Sequence, residues 1–229
     1  MTEFIKPCIL SLVYMGDSII FGQYIDAKLR WTSLVTERLQ KLFLDTPAHI
    51  YAVNRGVSGD TTRMGLERFP TDVQKERPDI LVIQFGLNDC NCWLTDQGLP
   101  RVSDAAFQAN LVEMVVRGQR FGAKRILLLT NHPTLRCKVM PSGEPYEQAN
   151  ARYSEIIRQV AVETKTSLCD IRQAFAGYPT SRMEDLLLPY PDGVHLSIKG
   201  HCVYVDIVWP CILEAVQTVL HDTMGIEKR

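Results

Sequence analysis

The chain has 229 residues, 46% of them hydrophobic and 22% charged, which suits one folded domain of above-average size and excludes a disordered, collagen-like or coiled-coil protein. Its 25 basic residues nearly balance 26 acidic ones, giving a formal net charge of −1. No global basic field therefore points to nucleic acid or an anionic membrane as the main partner.

In chain order, the first element is an apolar run at Ile9–Met15. It follows Lys6 in the manner of a secretory leader, but it is only about eight residues long and ends in Gly16-Asp17-Ser18 without a small-residue cleavage site, so it reads as a strand. Trp31, Leu34, Val35, Leu39 and Leu42 then recur at helical spacing. Further strands are expected at Ile50–Val53, Ile80–Phe85, Arg125–Thr130 and Ser167–Ile171. Ser103 is placed to cap a helix running to about Gly118, and Ala149, Tyr153, Ile156, Ile157 and Val160 form another helical stripe. Ser197 opens a closing helix through about Leu220, which Pro210 is expected to kink or interrupt. No other segment is expected to reach the ~20 apolar residues that cross a bilayer.

The stretches between strands are too long for hairpins and suit crossovers that carry a helix, so the sheet should be parallel. The expectation is a single α/β domain over residues 1–229, a three-layer α/β/α flavodoxin-like fold on a five-stranded parallel sheet. Ligands of such folds bind beyond the carboxyl ends of the strands. Seven dispersed cysteines (Cys8, Cys90, Cys92, Cys137, Cys169, Cys202, Cys211) read as unpaired thiols of a reducing, cytoplasmic compartment. Cys90 and Cys92 have no second Cys or His cluster at a zinc-ligand spacing, and His195 and His201 have no third ligand, so no metal is expected. His49, His201 and His221 sit at a strand start or on helix-surface patterns and read as inert.

Four motifs fall at strand ends or before the closing helix. Gly16-Asp17-Ser18 places a serine at a strand-to-helix turn, with its hydroxyl in the cleft and its N–H among the amides that open a helix. Ser58-Gly59-Asp60-Thr61 offers a glycine whose backbone can approach a ligand, and Gly86-Leu87-Asn88-Asp89 brings a carboxamide donor. Asp192-Gly193-Val194-His195 supplies a general base with a carboxylate three residues before it, close enough on a turn to accept from Nδ1–H. Taken singly, each is an ordinary turn or cap. Their joint occurrence in this order is what points to a site.

These four blocks together resemble the SGNH hydrolases, also called the GDSL esterase/lipase superfamily, over most of the chain. The continuation Gly65-Leu66-Glu67-Arg68-Phe69-Pro70 is similar to the bacterial thioesterase/lysophospholipase branch and its arylesterase relatives, while Leu87 stands where a second glycine is frequent. The resemblance implies Ser18 as nucleophile, His195 as base and Asp192 as its orienting acid. It implies an oxyanion hole from the N–H groups of Ser18 and Gly59 and the Asn88 amide, and no cofactor.

For the substrate, Asp17, Trp93, His132 and Arg136 are expected contacts, the last three on two segments read as short, rather polar pocket walls. Short acyl esters are expected, with an O-acetylated carbohydrate or other small ester first. A broader thioesterase, lysophospholipase or arylesterase is the enzymatic alternative. A non-catalytic sugar-binding module on the same fold and a flavin or nucleotide binder are the alternatives of other classes, although the last lacks a glycine-rich phosphate signature.

Overall fold

The computed structural model describes residues 8–224. Five parallel strands, β1 (Cys8–Gly16), β2 (Ala48–Gly56), β3 (Ile80–Gln84), β4 (Arg125–Leu129) and β5 (Ser167–Cys169), form one sheet in the order β2-β1-β3-β4-β5. β3 lies at its centre with all five residues buried, which is why it reads as an unbroken apolar run. β2 is an edge strand that alternates, with Ala48 and Ile50 turned inward and His49 and Tyr51 outward. It outruns its apolar segment at both ends because its backbone pairs with β1 from Cys8↔Ala48 to Gly16↔Gly56. β5 is shorter than the sequence suggests, because the Asp170 carboxylate accepts from the Gln173 N–H and starts a helix there.

The helices are α1 (Ser18–Phe21), α2 (Trp31–Leu42), α3 (Thr62–Phe69), α4 (Asp104–Arg120), α5 (Tyr146–Thr164), α6 (Ile171–Phe175), α7 (Thr180–Leu186) and α8 (Ile198–Met224). α2 packs on α8, while α3, α4 and α5 pack in succession, giving the layers of a flavodoxin-like fold. Trp31 is fully buried beneath α1, where its indole N–H donates to the Ile19 carbonyl at 2.9 Å and its ring meets Tyr14 edge-on. Lys6 and the rest of residues 1–7 lie outside the described residues, and the run that follows is β1.

One expectation about the closing helix is narrowed and one is corrected. α8 is continuous through Pro210, which rules out an interruption there, and Tyr204, Val208, Ile212, Val216 and Val219 are buried on both sides of the proline. By length and composition its Ile198–Thr223 stretch is also apolar enough to cross a membrane, and one part of that stretch, including Tyr204, Val208, Ile212 and Val216, is buried in the core.

The sheet register sets Gly16 beside Gly56 and Gln84 at the carboxyl edge. A Cβ on Gly16 would stand 2.3 Å from both the Gln84 carbonyl oxygen and Ile20 Cγ1. Glycine there lets α1 fold tightly over the strand ends and brings the residue at its start to the rim.

Candidate active site

Ser18 begins α1 and His195 lies in the loop before α8, 177 positions away, yet Ser18 Oγ and His195 Nε2 are 2.9 Å apart. On the far side of the ring, His195 Nδ1 is 2.6 Å from Asp192 Oδ2. A carboxylate only accepts, so Nδ1 carries the proton and Nε2 is left to accept from the serine hydroxyl. Asp192 Oδ1 accepts from the N–H groups of Val194 and His195 at 2.8 and 2.7 Å, so the acid, the turn and the base are one hydrogen-bonded unit. Burial works to raise the Asp192 pKa, but these N–H groups and the imidazole outweigh it and hold the carboxyl below its ordinary value.

Gly59 and Asn88 belong to the loops after β2 and β3. Gly59 has φ +85°, a left-handed conformation natural to glycine, and the space where its Cβ would stand is open. Arg101 donates to the Gly59 carbonyl at 3.0 Å and fixes that peptide from outside. Asn88 Nδ2 donates one hydrogen to the Asp60 carbonyl at 3.0 Å and keeps a second for a ligand. The guanidinium of Arg68 on α3 donates to the carbonyls of Gly16 and Arg55 and to the Asp60 and Asp72 carboxylates, tying the ends of β1 and β2 to the Gly59 loop. Its position in the second motif was visible in the sequence, but its contact with the Gly16 carbonyl, 52 positions away, was not.

Two expected substrate contacts are corrected. Asp17 is fully buried: Oδ1 caps α1 by accepting from the Ile19 N–H at 2.9 Å, and burial raises its pKa to about 7. A carboxylate sealed under α1 cannot touch a ligand above it. Neighbouring Asp89 is raised to about 6 by burial, against the Thr62 N–H and hydroxyl that it accepts from.

His132 is also fully buried, with Nε2 donating to the Val194 carbonyl at 2.7 Å and burial lowering its pKa to about 4. It is one of three ties from the segment after β4 to the Asp192–His195 turn. The others are the Leu135 N–H to the Gly193 carbonyl at 2.8 Å and Arg136 Nε to the Asp192 carbonyl at 3.2 Å. Residues 132–136 of the expected second wall are therefore also a clasp on the turn that carries Asp192 and His195. His201 is likewise buried rather than on the surface, and its Nδ1 accepts from the Trp31 N–H at the start of α2. Burial lowers its pKa to about 4.

Arg136 and Trp93 remain at the surface of the cleft region. Arg136 helps line a cleft of about 1050 Å³ between residues 135–139 and 188–193, bounded by Val139, Leu188, Tyr190 and the backbone of Asp192. Trp93 is 50% exposed, carries the Arg101 guanidinium on its ring at 4.5 Å, and lines a hollow of about 480 Å³ that shares Lys138 and Val139 with the cleft. These walls are more apolar than their sequence suggests, because Trp93, Leu94, Leu99, Val139 and Tyr190 all turn outward. Sequence reasoning missed Tyr24, whose ring lies 5.3 Å from the His195 imidazole, nearly perpendicular to it. Among the described residues, no group of three or more His, Cys, Asp or Glu side chains is placed to hold a metal ion.

Residues 14–203 match the GDSL-like Lipase/Acylhydrolase family. The chain is 30% identical over 203 residues to Esterase TesA of Pseudomonas aeruginosa, covering 88% of this chain and 87% of that protein. It is 26% identical over 214 residues to the acetylxylan esterase of Geobacillus stearothermophilus, covering 84% and 89%. Among solved structures, the lipase/acylhydrolase from Enterococcus faecalis superposes with a TM-score of 0.71 at 25% identity, over 89% of this chain and 95% of that one. The Ser18–His195–Asp192 relay thus stands inside a fold and sequence shared with known esterases, and the chain belongs to the GDSL-like lipase/acylhydrolase family, the SGNH carboxylic ester hydrolases.

Proposed function

We propose that Ser18 is the nucleophile of a serine esterase for short acyl esters, with an O-acetyl group on a carbohydrate or another small ester as its preferred substrate. The observation that carries this reading is the hydrogen-bonded relay from Ser18 Oγ through His195 to Asp192. In the first half-reaction Ser18 Oγ attacks the acyl carbon while its proton passes to His195 Nε2. The carbonyl oxygen gains negative charge and is met by the N–H groups of Ser18 and Gly59 and by Asn88 Nδ2. Collapse breaks the ester C–O bond, and the imidazolium returns the proton to the leaving alcohol. Water then repeats the sequence on the acyl-serine and frees the acid.

The acetyl preference is supported by the similarity to an acetylxylan esterase along most of the chain. The second reading, a thioesterase, lysophospholipase or arylesterase, is supported by the Gly65-Leu66-Glu67-Arg68-Phe69-Pro70 continuation of the second motif. Wild type and Ser18→Ala assayed on acetyl, butyryl, octanoyl and palmitoyl esters test both. The substitution abolishes turnover, and activity that survives it refutes the nucleophile. A maximum at eight carbons or more rejects the acetyl preference. A correctly folded native protein that resists fluorophosphonate labelling would instead be a binding module. We also propose a reducing, cytoplasmic setting, supported by seven cysteines that all stand as free thiols.

A further inference from the structure

Tyr24 combines three properties that do not serve the fold. It holds a left-handed backbone, φ +68°, which a bulky L-residue adopts only at a cost. Its side chain is 69% exposed, so that cost is not offset by burial in the core. Its ring nevertheless has a fixed neighbour, the His195 imidazole, at 5.3 Å and an interplanar angle of 88°.

The turn that presents it is pinned from several directions. The Gln23 N–H donates to the Ser18 carbonyl at 3.1 Å and the Ile25 N–H to the Gly22 carbonyl at 3.2 Å. Arg30 Nε donates to the Ile25 carbonyl, and the same guanidinium stacks on Phe21 at 4.3 Å. The backbone that carries the tyrosine is thus held by its neighbours, immediately after the helix that starts with Ser18.

The position of the ring has a chemical consequence. His195 Nε2 faces Ser18 Oγ, and the leaving alcohol takes its proton from that nitrogen, so the alcohol must sit beside the imidazole when the ester bond breaks. The solvent-exposed Tyr24 ring also lies beside this imidazole, 5.3 Å from it. We infer that Tyr24 is a specificity-determining platform on which the ring of a cyclic leaving alcohol, a sugar or an arene, stacks during acyl transfer. The inference rests on the serine-esterase reading and adds the shape of the alcohol to it. The shared chemistry is the apolar face of a six-membered ring, which packs on an aromatic surface and which an open-chain alcohol lacks.

The test compares wild type with Tyr24→Gly, Tyr24→Ala and Tyr24→Phe on ethyl acetate, phenyl acetate and an O-acetylated methyl xyloside. Glycine is at home at φ +68°, so Tyr24→Gly keeps the turn and the fold. Removing the ring is expected to lower kcat/KM for a ring-bearing ester about tenfold relative to ethyl acetate, with Tyr24→Phe within roughly threefold of wild type. A drop confined to phenyl acetate identifies an arene, and one confined to the xyloside identifies a sugar. Fluorophosphonate labelling of Ser18 in Tyr24→Gly proceeds at the wild-type rate.

Equal losses on all three esters, or slowed labelling, would show that Tyr24 acts through His195 and would overturn the platform. An unchanged ratio of ring to open-chain esters overturns it as well. A wild type that hydrolyses none of the three acetates overturns the short-acyl esterase reading and the platform together, whereas the preceding outcomes refute the platform alone.

Discussion

Replacing Asp192 by Asn isolates the charge and the tautomer of the relay from its geometry. Asn Oδ1 can still accept from the Val194 and His195 N–H groups that Asp192 Oδ1 holds at 2.8 and 2.7 Å, so the turn is retained. The Asn NH₂ then occupies the place of Oδ2, 2.6 Å from His195 Nδ1, and being a donor it forces the ring proton onto Nε2. A protonated Nε2 faces Ser18 Oγ at 2.9 Å and cannot take its proton, and the imidazolium that forms in the wild type loses its counter-charge. The expected loss in kcat is about 10³–10⁴-fold, or ~4–5.5 kcal/mol of transition-state stabilisation, with KM nearly unchanged. Steady-state hydrolysis of p-nitrophenyl acetate measures this, with urea unfolding run alongside. Because the folded-state pKa of Asp192 is depressed, its contribution to stability is present above the ordinary value of 3.8 and is lost as pH falls below it. The variant should therefore be less sensitive to strong acid. Retention of more than a tenth of wild-type kcat would refute the assignment and pass the orienting role to a backbone carbonyl.

Asn88→Ala removes one of the three proposed oxyanion donors and should cut kcat about 10²–10³-fold with little change in KM, as steady-state kinetics will show; a rise in KM at constant kcat would make Asn88 a ground-state contact instead. Asp17→Asn keeps the cap on α1 and removes a buried acid whose folded pKa is raised from 3.8 to about 7. In the wild type that acid stabilises most below its unfolded pKa and loses its contribution as pH rises toward 7, while His132 and His201, both lowered to about 4, have the opposite slope between about 6.5 and 4. The histidines are common to both proteins, so the stability of the variant relative to wild type should rise by ~2–4 kcal/mol between pH 4 and 8 in urea unfolding. A difference that does not change with pH would show that Asp17 is ionised at no cost.

The strands were legible because a buried parallel sheet demands unbroken apolar runs, and β1, β3 and β4 satisfy that demand within a few residues. The four motifs were legible as site candidates because each lies within a few residues of a strand end or of α8, where the fold class places ligands. Asp17 and His132 were misplaced because adjacency to a motif says nothing about which way a side chain points. Asp17 turns under α1 to cap it, and His132 reaches the Val194 carbonyl 62 positions further along the chain. Arg68 and Arg101 escaped notice for the same reason. Their roles lie in carbonyls at the ends of other elements, the Gly16, Arg55 and Gly59 oxygens.

What the sequence determined by itself was the period of each element and the chemistry carried at its end, since both are local: hydrophobic spacing, a cap, a glycine after a strand. What only the tertiary structure decided was which of those polar groups share a site. The order β2-β1-β3-β4-β5 and the clasp of residues 132–136 on the Asp192–His195 turn bring Ser18 Oγ within 2.9 Å of a histidine 177 positions away. The same packing seals Asp17 beneath them and leaves Tyr24 exposed beside them. Burial and direction belong to the packed chain, because a side chain's surroundings come from elements distant in sequence.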